Sequence, residues 1–295
     1  MTSAIQVHRL CRRAGIAFAL CAVPAFALAQ RGGARTPRAD SLREASRLDS
    51  DGSTVKAREI IGRLIESAPE AAAKAESQRA LAMSYAFDGD CAKAAKAEEL
   101  VMAYWVTREQ AEPQNAFYQE GEMANEAARV CIDAGDFNTA ERYYRRGTEL
   151  GLKEPEPKTH PASLWNFRLA HALARLAARR GNKAEAQKQV AAARAILDGD
   201  KEMAAQQERF FPYLTGYVAL YTGDLGAAEA DLTKAISIRG NTGDPFFHCL
   251  LAMTYEKLGQ TAKARAFYQK AYDLATAHNP PSAYVRPLAG KKLAE

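Results

Sequence analysis

The sequence is short of the side chains and motifs from which most enzyme sites are built. Its 295 residues hold five histidines, five cysteines and two tryptophans. It has no glycine-rich phosphate loop, Gly-x-Ser-x-Gly elbow, His-Glu-x-x-His or Cys-x-x-Cys, so the local signatures of nucleotide-binding, serine-hydrolase, zinc-protease and dithiol chemistry are missing. His171 and His248 fall in unlike segments and His160 lies in a proline-rich loop, which is not metal-ligand spacing. The many Glu and Lys residues read as solvated helix faces. No catalytic, metal-binding or cofactor-binding residue is assigned, and a non-catalytic protein is expected.

Long apolar runs are also lacking. An uncharged stretch, Ala14 to Leu28, is too short and too alanine-rich for a membrane span. It follows Arg9, Arg12 and Arg13 and ends in Ala27-Leu28-Ala29, the layout of a secretory signal peptide. Residues 1–29 are therefore expected to be a leader cleaved near Ala29, leaving a periplasmic or secreted chain with no transmembrane span. Losing the leader's three arginines lowers the formal charge from +5 to +2, which gives no support for nucleic-acid binding. The Gly/Arg-rich residues 30–39 read as a disordered spacer.

What the chain does have is a repeat. Glycine followed five residues later by alanine occurs at Gly52/Ala57, Gly89/Ala94, Gly135/Ala140, Gly181/Ala186, Gly223/Ala228 and Gly259/Ala264. Seven residues before each glycine stands another small residue: Ala45, Ala82, Ala128, Ala174, Gly216 and Ala252. A pattern recurring every 36 to 46 residues means stacked supersecondary units rather than one globular core. The stretch before each glycine reads as a helix that the glycine ends. Asp90, Asp136, Asn182 and Asp224, with Ser53 in the first unit, stand where they can cap a second helix. The paired small residues let the two helices approach closely.

These units resemble the tetratricopeptide repeat family. The last one, Leu251-Ala252-Met253-Thr254-Tyr255 through Gly259 and Ala264 to Tyr268-Gln269-Lys270-Ala271, fits its pattern best. Gly216, Gly223-Asp224 and Ala235 carry it in the unit before, Tyr143-Tyr144 follows Gly135 to Ala140, and Pro69 closes the first unit. The resemblance covers residues 40–276. The family's early tryptophan is missing, and all five spacings exceed the family's usual length of about 34 residues, three of them widely, at 46, 46 and 42. The extra residues fall around 108–115, 151–163 and 198–209; Glu154 to Lys158 reads as a rigid loop between repeats. The resemblance implies an all-α, right-handed solenoid of about six helical hairpins. Residues 277–295 are expected to form a C-terminal capping helix, starting at Pro281 or Ser282 and shortened or kinked by Pro287.

A solenoid of this kind binds on the concave wall made by its first helices. Residues ten and six before each glycine share one helical face. That rule selects Arg79/Met83, Asn125/Arg129, His171/Arg175, Tyr213/Tyr217 and Cys249/Met253, with Arg168, Arg179, Phe210 and Tyr221 extending the stripe. Arginine holds carboxylates and tyrosine holds peptides; a solvated face for the arginines and inter-repeat packing for Tyr217 and Phe210 are the alternatives. Two functions stay open: an envelope scaffold binding a protein or peptide segment, with or without an exposed carboxylate, and an accessory protein for cell-wall glycan or an anionic small ligand. Cys11 and Cys21 leave with the leader, so the mature chain keeps Cys91, Cys131 and Cys249. Cys91 starts one helix and Cys131 nears the end of the next antiparallel one, which allows a bridge; two small buried residues that never bond are the alternative. Cys249 is expected to be free on the groove wall.

Overall fold

The structure is a computed structural model that describes residues 36–295, and the leader together with most of the spacer lies outside the described residues. One compact unit, Pro37–Glu295, contains every described helix. Twelve helices form six hairpins. They are α1 (Pro37–Ser50) with α2 (Thr54–Glu66), α3 (Ala71–Phe87) with α4 (Cys91–Val106), and α5 (Pro113–Ala134) with α6 (Phe137–Leu152). Then come α7 (Ala162–Arg179) with α8 (Lys183–Gly199), the short α9 (Lys201–Gln207), α10 (Phe211–Thr222) with α11 (Leu225–Ser237), and α12 (Pro245–Lys257) with α13 (Thr261–Leu274). A last helix, α14, spans Pro280–Ala294. No strand occurs among the described residues.

The turn chemistry is local and repeats. At Gly135 φ is 89°, a left-handed conformation that costs glycine little and other residues more. Its N–H donates to Ile132 O at 3.2 Å, and the Asp136 N–H donates to Cys131 O at 2.9 Å. The Asp136 carboxylate then accepts the Thr139 N–H at 3.1 Å and starts α6. Asp90, Asn182 and Asp224 cap α4, α8 and α11 in the same way. Ser53 does not: its ψ is 45° where Asp90 has 80°, and its hydroxyl makes no cap bond.

The small residues lie where the helices cross. The alanines of the repeat are all buried, none more than 4% exposed. At Gly216 a Cβ would stand 2.7 Å from Leu232 Cγ of the partner helix. Sequence pattern, turn and packing therefore agree at the four hairpins capped by Asp90, Asp136, Asn182 and Asp224, the consistency that specifies a repeat unit. A disulfide between Cys91 and Cys131, with Cα atoms 4.7 Å apart, ties the second hairpin to the third. Cys249 is free, but it is fully buried rather than displayed on a wall.

Two boundaries differ from expectation. Helix α1 begins at Pro37, so residues 37–39 are not spacer: Arg38 reaches back to donate to Leu64 O at 2.9 Å. Helix α14 begins at Pro280 on an Asn279 cap and runs on through Pro287. It also does more than cover the last repeat. Besides α12 and α13 it packs against α3, α5 and α1. His278 Nε2 lies 2.8 Å from Asp49 Oδ2, and Arg286 Nε donates to Ser50 O at 3.0 Å. The apolar side chains of α14 thus find cover on inner helices of early repeats, and part of the concave wall is occupied by the chain itself.

Candidate functional site

The inner helices α5 and α7 each carry a row of polar side chains along one face. On α5 these are Glu122, Asn125, Arg129 and Asp133; on α7 they are Arg168, His171, Arg175 and Arg179. Spacings of three and four residues keep each set on one side of its helix. Between them opens a recess of about 250 Å³. Helix α5 supplies Glu122, Asn125 and Arg129, α6 supplies Tyr144, and α7 supplies Phe167, Arg168, His171 and Arg175. The remaining wall is Tyr213 from α10, with Gln207 and Phe210 from the segment inserted before it.

Two of the three arginines have carboxylate partners inside the chain. Arg168 pairs with Glu122 and lies 4.9 Å from the Trp165 ring centroid. Arg129 Nε donates to Asp133 Oδ2 at 2.9 Å, and its guanidinium sits 3.9 Å over the Phe246 ring of α12. Arg175 is different. It donates to the Tyr213 hydroxyl at 3.2 Å and the Tyr144 hydroxyl at 3.1 Å, and no carboxylate among the described residues forms an ion pair with it. Its side chain is only 6% exposed. A buried guanidinium normally carries a paired anion, because leaving its charge uncompensated is costly.

The groups around Arg175 reinforce this. Arg175 Nε, one terminal nitrogen of Arg129 and His171 Nε2 are buried without hydrogen-bond partners. Burial first, then the charges of Arg175 and Arg129, hold the His171 imidazole well below its ordinary range, so it is neutral. Burial raises the Tyr144 hydroxyl, which therefore keeps its proton. A phenol that accepts from Arg175 still has that proton to give. The unpartnered donors of the recess are thus the Arg175 and Arg129 guanidinium nitrogens and the Tyr144 hydroxyl, and with one unmatched positive charge they suit an oxyanion.

Of the sequence-selected residues, Asn125, Arg129, Arg168, His171, Arg175 and Tyr213 meet in this recess. Arg79 does not: its Nε donates to Glu126 at 3.0 Å, and a second bond from the same guanidinium locks it against α5. Tyr217 is inter-repeat core, 1% exposed, its hydroxyl accepting from Arg179 at 3.4 Å. Glu122, Tyr144, Phe167 and Gln207 were missed by the ten-and-six rule. Glu122 lies one step further along the α5 stripe, where its three-residue spacing to Asn125 was a usable signal. Gln207 comes from the very residues that break the repeat period.

His160 has a local role. Its Nδ1 lies 2.9 Å from Glu154 Oε2, and its ring stacks on Tyr118 at 3.9 Å. No group of His, Cys, Asp and Glu residues fit to hold a metal is found among the described residues. Nor is any described helix long and apolar enough to cross a membrane.

Antiparallel helix pairs closed by a left-handed glycine, six times in phase, define an α-helical hairpin-repeat protein. Residues 247–278, the last hairpin and the turn after it, match the family model described as tetratricopeptide repeat. No curated protein matches it in sequence. A solved structure to which it is similar is the crystal structure of the apo form of RapI, at 13% identity and a TM-score of 0.33. That match covers 81% of this chain, and the chain spans 66% of RapI's length.

Proposed function

We propose that this protein is a non-catalytic interaction module of the cell envelope that holds a protein or peptide segment by a carboxylate in the recess between α5 and α7. Tetratricopeptide repeats are interaction scaffolds, which supports a protein partner. The observation that carries the carboxylate is Arg175, buried among donors with no acid of its own. The envelope location rests on the leader-like residues 1–29. A second reading, an accessory protein for cell-wall glycan or an anionic small ligand, is favoured by one feature: about 250 Å³ is below the usual range for ligand pockets, roughly 300–1,000 Å³, and suits one compact group.

The test is capture from envelope extracts and, separately, from purified wall material, with wild-type protein and the Arg175→Gln variant. A stoichiometric protein partner that the variant loses supports the first reading. Retention on wall material alone, lost in the variant, supports the second. Capture that Arg175→Gln leaves intact in both arms overturns the carboxylate site.

A further inference from the structure

The donors account for one end of a ligand; the rest of the recess is aromatic. Tyr144, Phe167, His171, Phe210 and Tyr213 all line it. Three of these rings are packed in a row: Phe167 and His171 have centroids 5.8 Å apart, and His171 and Tyr213 are 5.2 Å apart. Tyr213 is held from behind by Phe247, stacked at 4.4 Å. The desolvated imidazole is neutral and so acts as a flat, uncharged ring in this wall. Phe210 is only partly buried and closes the recess from the inserted segment.

We propose that the recess selects a carboxylate borne by a planar apolar group, the carboxylate at Arg175 and Arg129 and the flat body against the aromatic wall. This rests on the reading of Arg175 as the carboxylate anchor and adds what must be attached to it. Aromatic groups pack favourably on such walls in offset or edge-to-face geometry. A sugar acid fits less well. Its several hydroxyls need acceptors as well as donors, and besides Glu122, already engaged by Arg168, the side-chain amides of the lining are only Asn125 and Gln207. A long acidic side chain within an extended segment would leave the rings in contact with water. The same chemistry has two sources: the last residue of a peptide chain ending in an aromatic side chain, or a free aromatic acid.

The experiment is calorimetric titration of the full chain with five probes: N-acetylphenylalanine, its amide, N-acetylalanine, glucuronate and phenylacetate. N-acetylphenylalanine should bind at least about ten-fold more tightly than its amide, since one lost charged hydrogen bond is worth about that factor, and by a similar margin over N-acetylalanine and glucuronate, which keep the carboxylate but leave the aromatic wall uncovered. Phenylacetate binding as well as N-acetylphenylalanine assigns a free acid; clear preference for N-acetylphenylalanine assigns a chain end. Equal binding of N-acetylalanine or glucuronate overturns the aromatic selection while leaving the anchor in place. Equal binding of the amide, or no binding of any carboxylate, overturns the anchor as well. These comparisons are all made on wild-type protein, so a failure of a variant to fold does not enter. Phe210→Ser, at a partly exposed wall position, should then narrow the gap between N-acetylphenylalanine and N-acetylalanine without weakening N-acetylalanine; an unchanged gap counts against the wall.

Discussion

His278 and Asp49, 229 positions apart in sequence, meet at 2.8 Å. The Asp49 carboxylate is buried and also accepts the Ser84 hydroxyl at 2.7 Å, while the imidazole stacks on Phe87 with centroids 5.7 Å apart. One carboxylate thus joins α1, α3 and the approach to α14.

The first prediction follows from that contact. His278→Ala removes a partner from a buried carboxylate, which should cost about 1–3 kcal/mol in denaturant unfolding. Hydrogen exchange should rise first in α14. Exchange that rises evenly over all hairpins would show that the contact does not fasten this helix in particular.

The hairpin crossings give the second. Ala140 and Ala228 are fully buried, so Ala140→Leu or Ala228→Leu overpacks a close helix pair and should destabilise by about 1–3 kcal/mol. Thermal melting reads this directly. Unchanged melting in both variants would mean that the small residues are not setting the helix separation.

The disulfide gives the third. Cys91 and Cys131 close a loop of 40 residues, and replacing both with serine should cost about 2–4 kcal/mol, largely by freeing the unfolded chain. Thiol counting on unreduced, denatured protein lacking residues 1–29 should find one reactive group, Cys249. Three would rule the bridge out.

The fourth concerns pH. Burial, then the neighbouring Glu109 carboxylate, pushes Glu120 up to about 7 from its ordinary 4.5. Glu98, fully buried beside Glu126, is raised for the same two reasons. A carboxyl whose folded value lies above its unfolded one keeps a proton that the unfolded chain releases. The contribution of Glu120 to stability is therefore whole below about pH 4.5 and falls as pH rises to about 7, levelling off above that. Glu120→Gln should flatten this part of the curve and raise stability at pH 8 by about 1–3 kcal/mol. A variant that keeps the wild-type slope would show that Glu120 is not the group releasing the proton.

The hairpins were legible because everything that makes them is local. A glycine, a capping Asp or Asn and two small residues lie within thirteen positions, so the pattern survives in the sequence. Residues of the recess were legible to the extent that they share a helical stripe, as Arg129, His171 and Arg175 do. Tyr213 and Tyr217 share one too, four residues apart, and only the neighbours decide between them: Phe210 and Gln207 leave Tyr213 a recess to face, while Tyr217 stacks against Phe246 and Tyr221. Arg79 satisfied the same rule, yet Glu126 on the next inner helix claims it. The return of α14 was not legible at all. Its partners on α1 and α3 lie some two hundred residues away, and no periodicity within α14 records them.

An open stack of repeats can gain or lose a unit in evolution, since each unit touches only its neighbours. This one is keyed end to end. Deleting or duplicating a hairpin would rotate the last helix away from the first, stranding Asp49 and the Ser50 carbonyl that Arg286 holds. The polar fit between the two ends of the array is thereby matched to the six described hairpins, and a variant with one added or removed has to rebuild it.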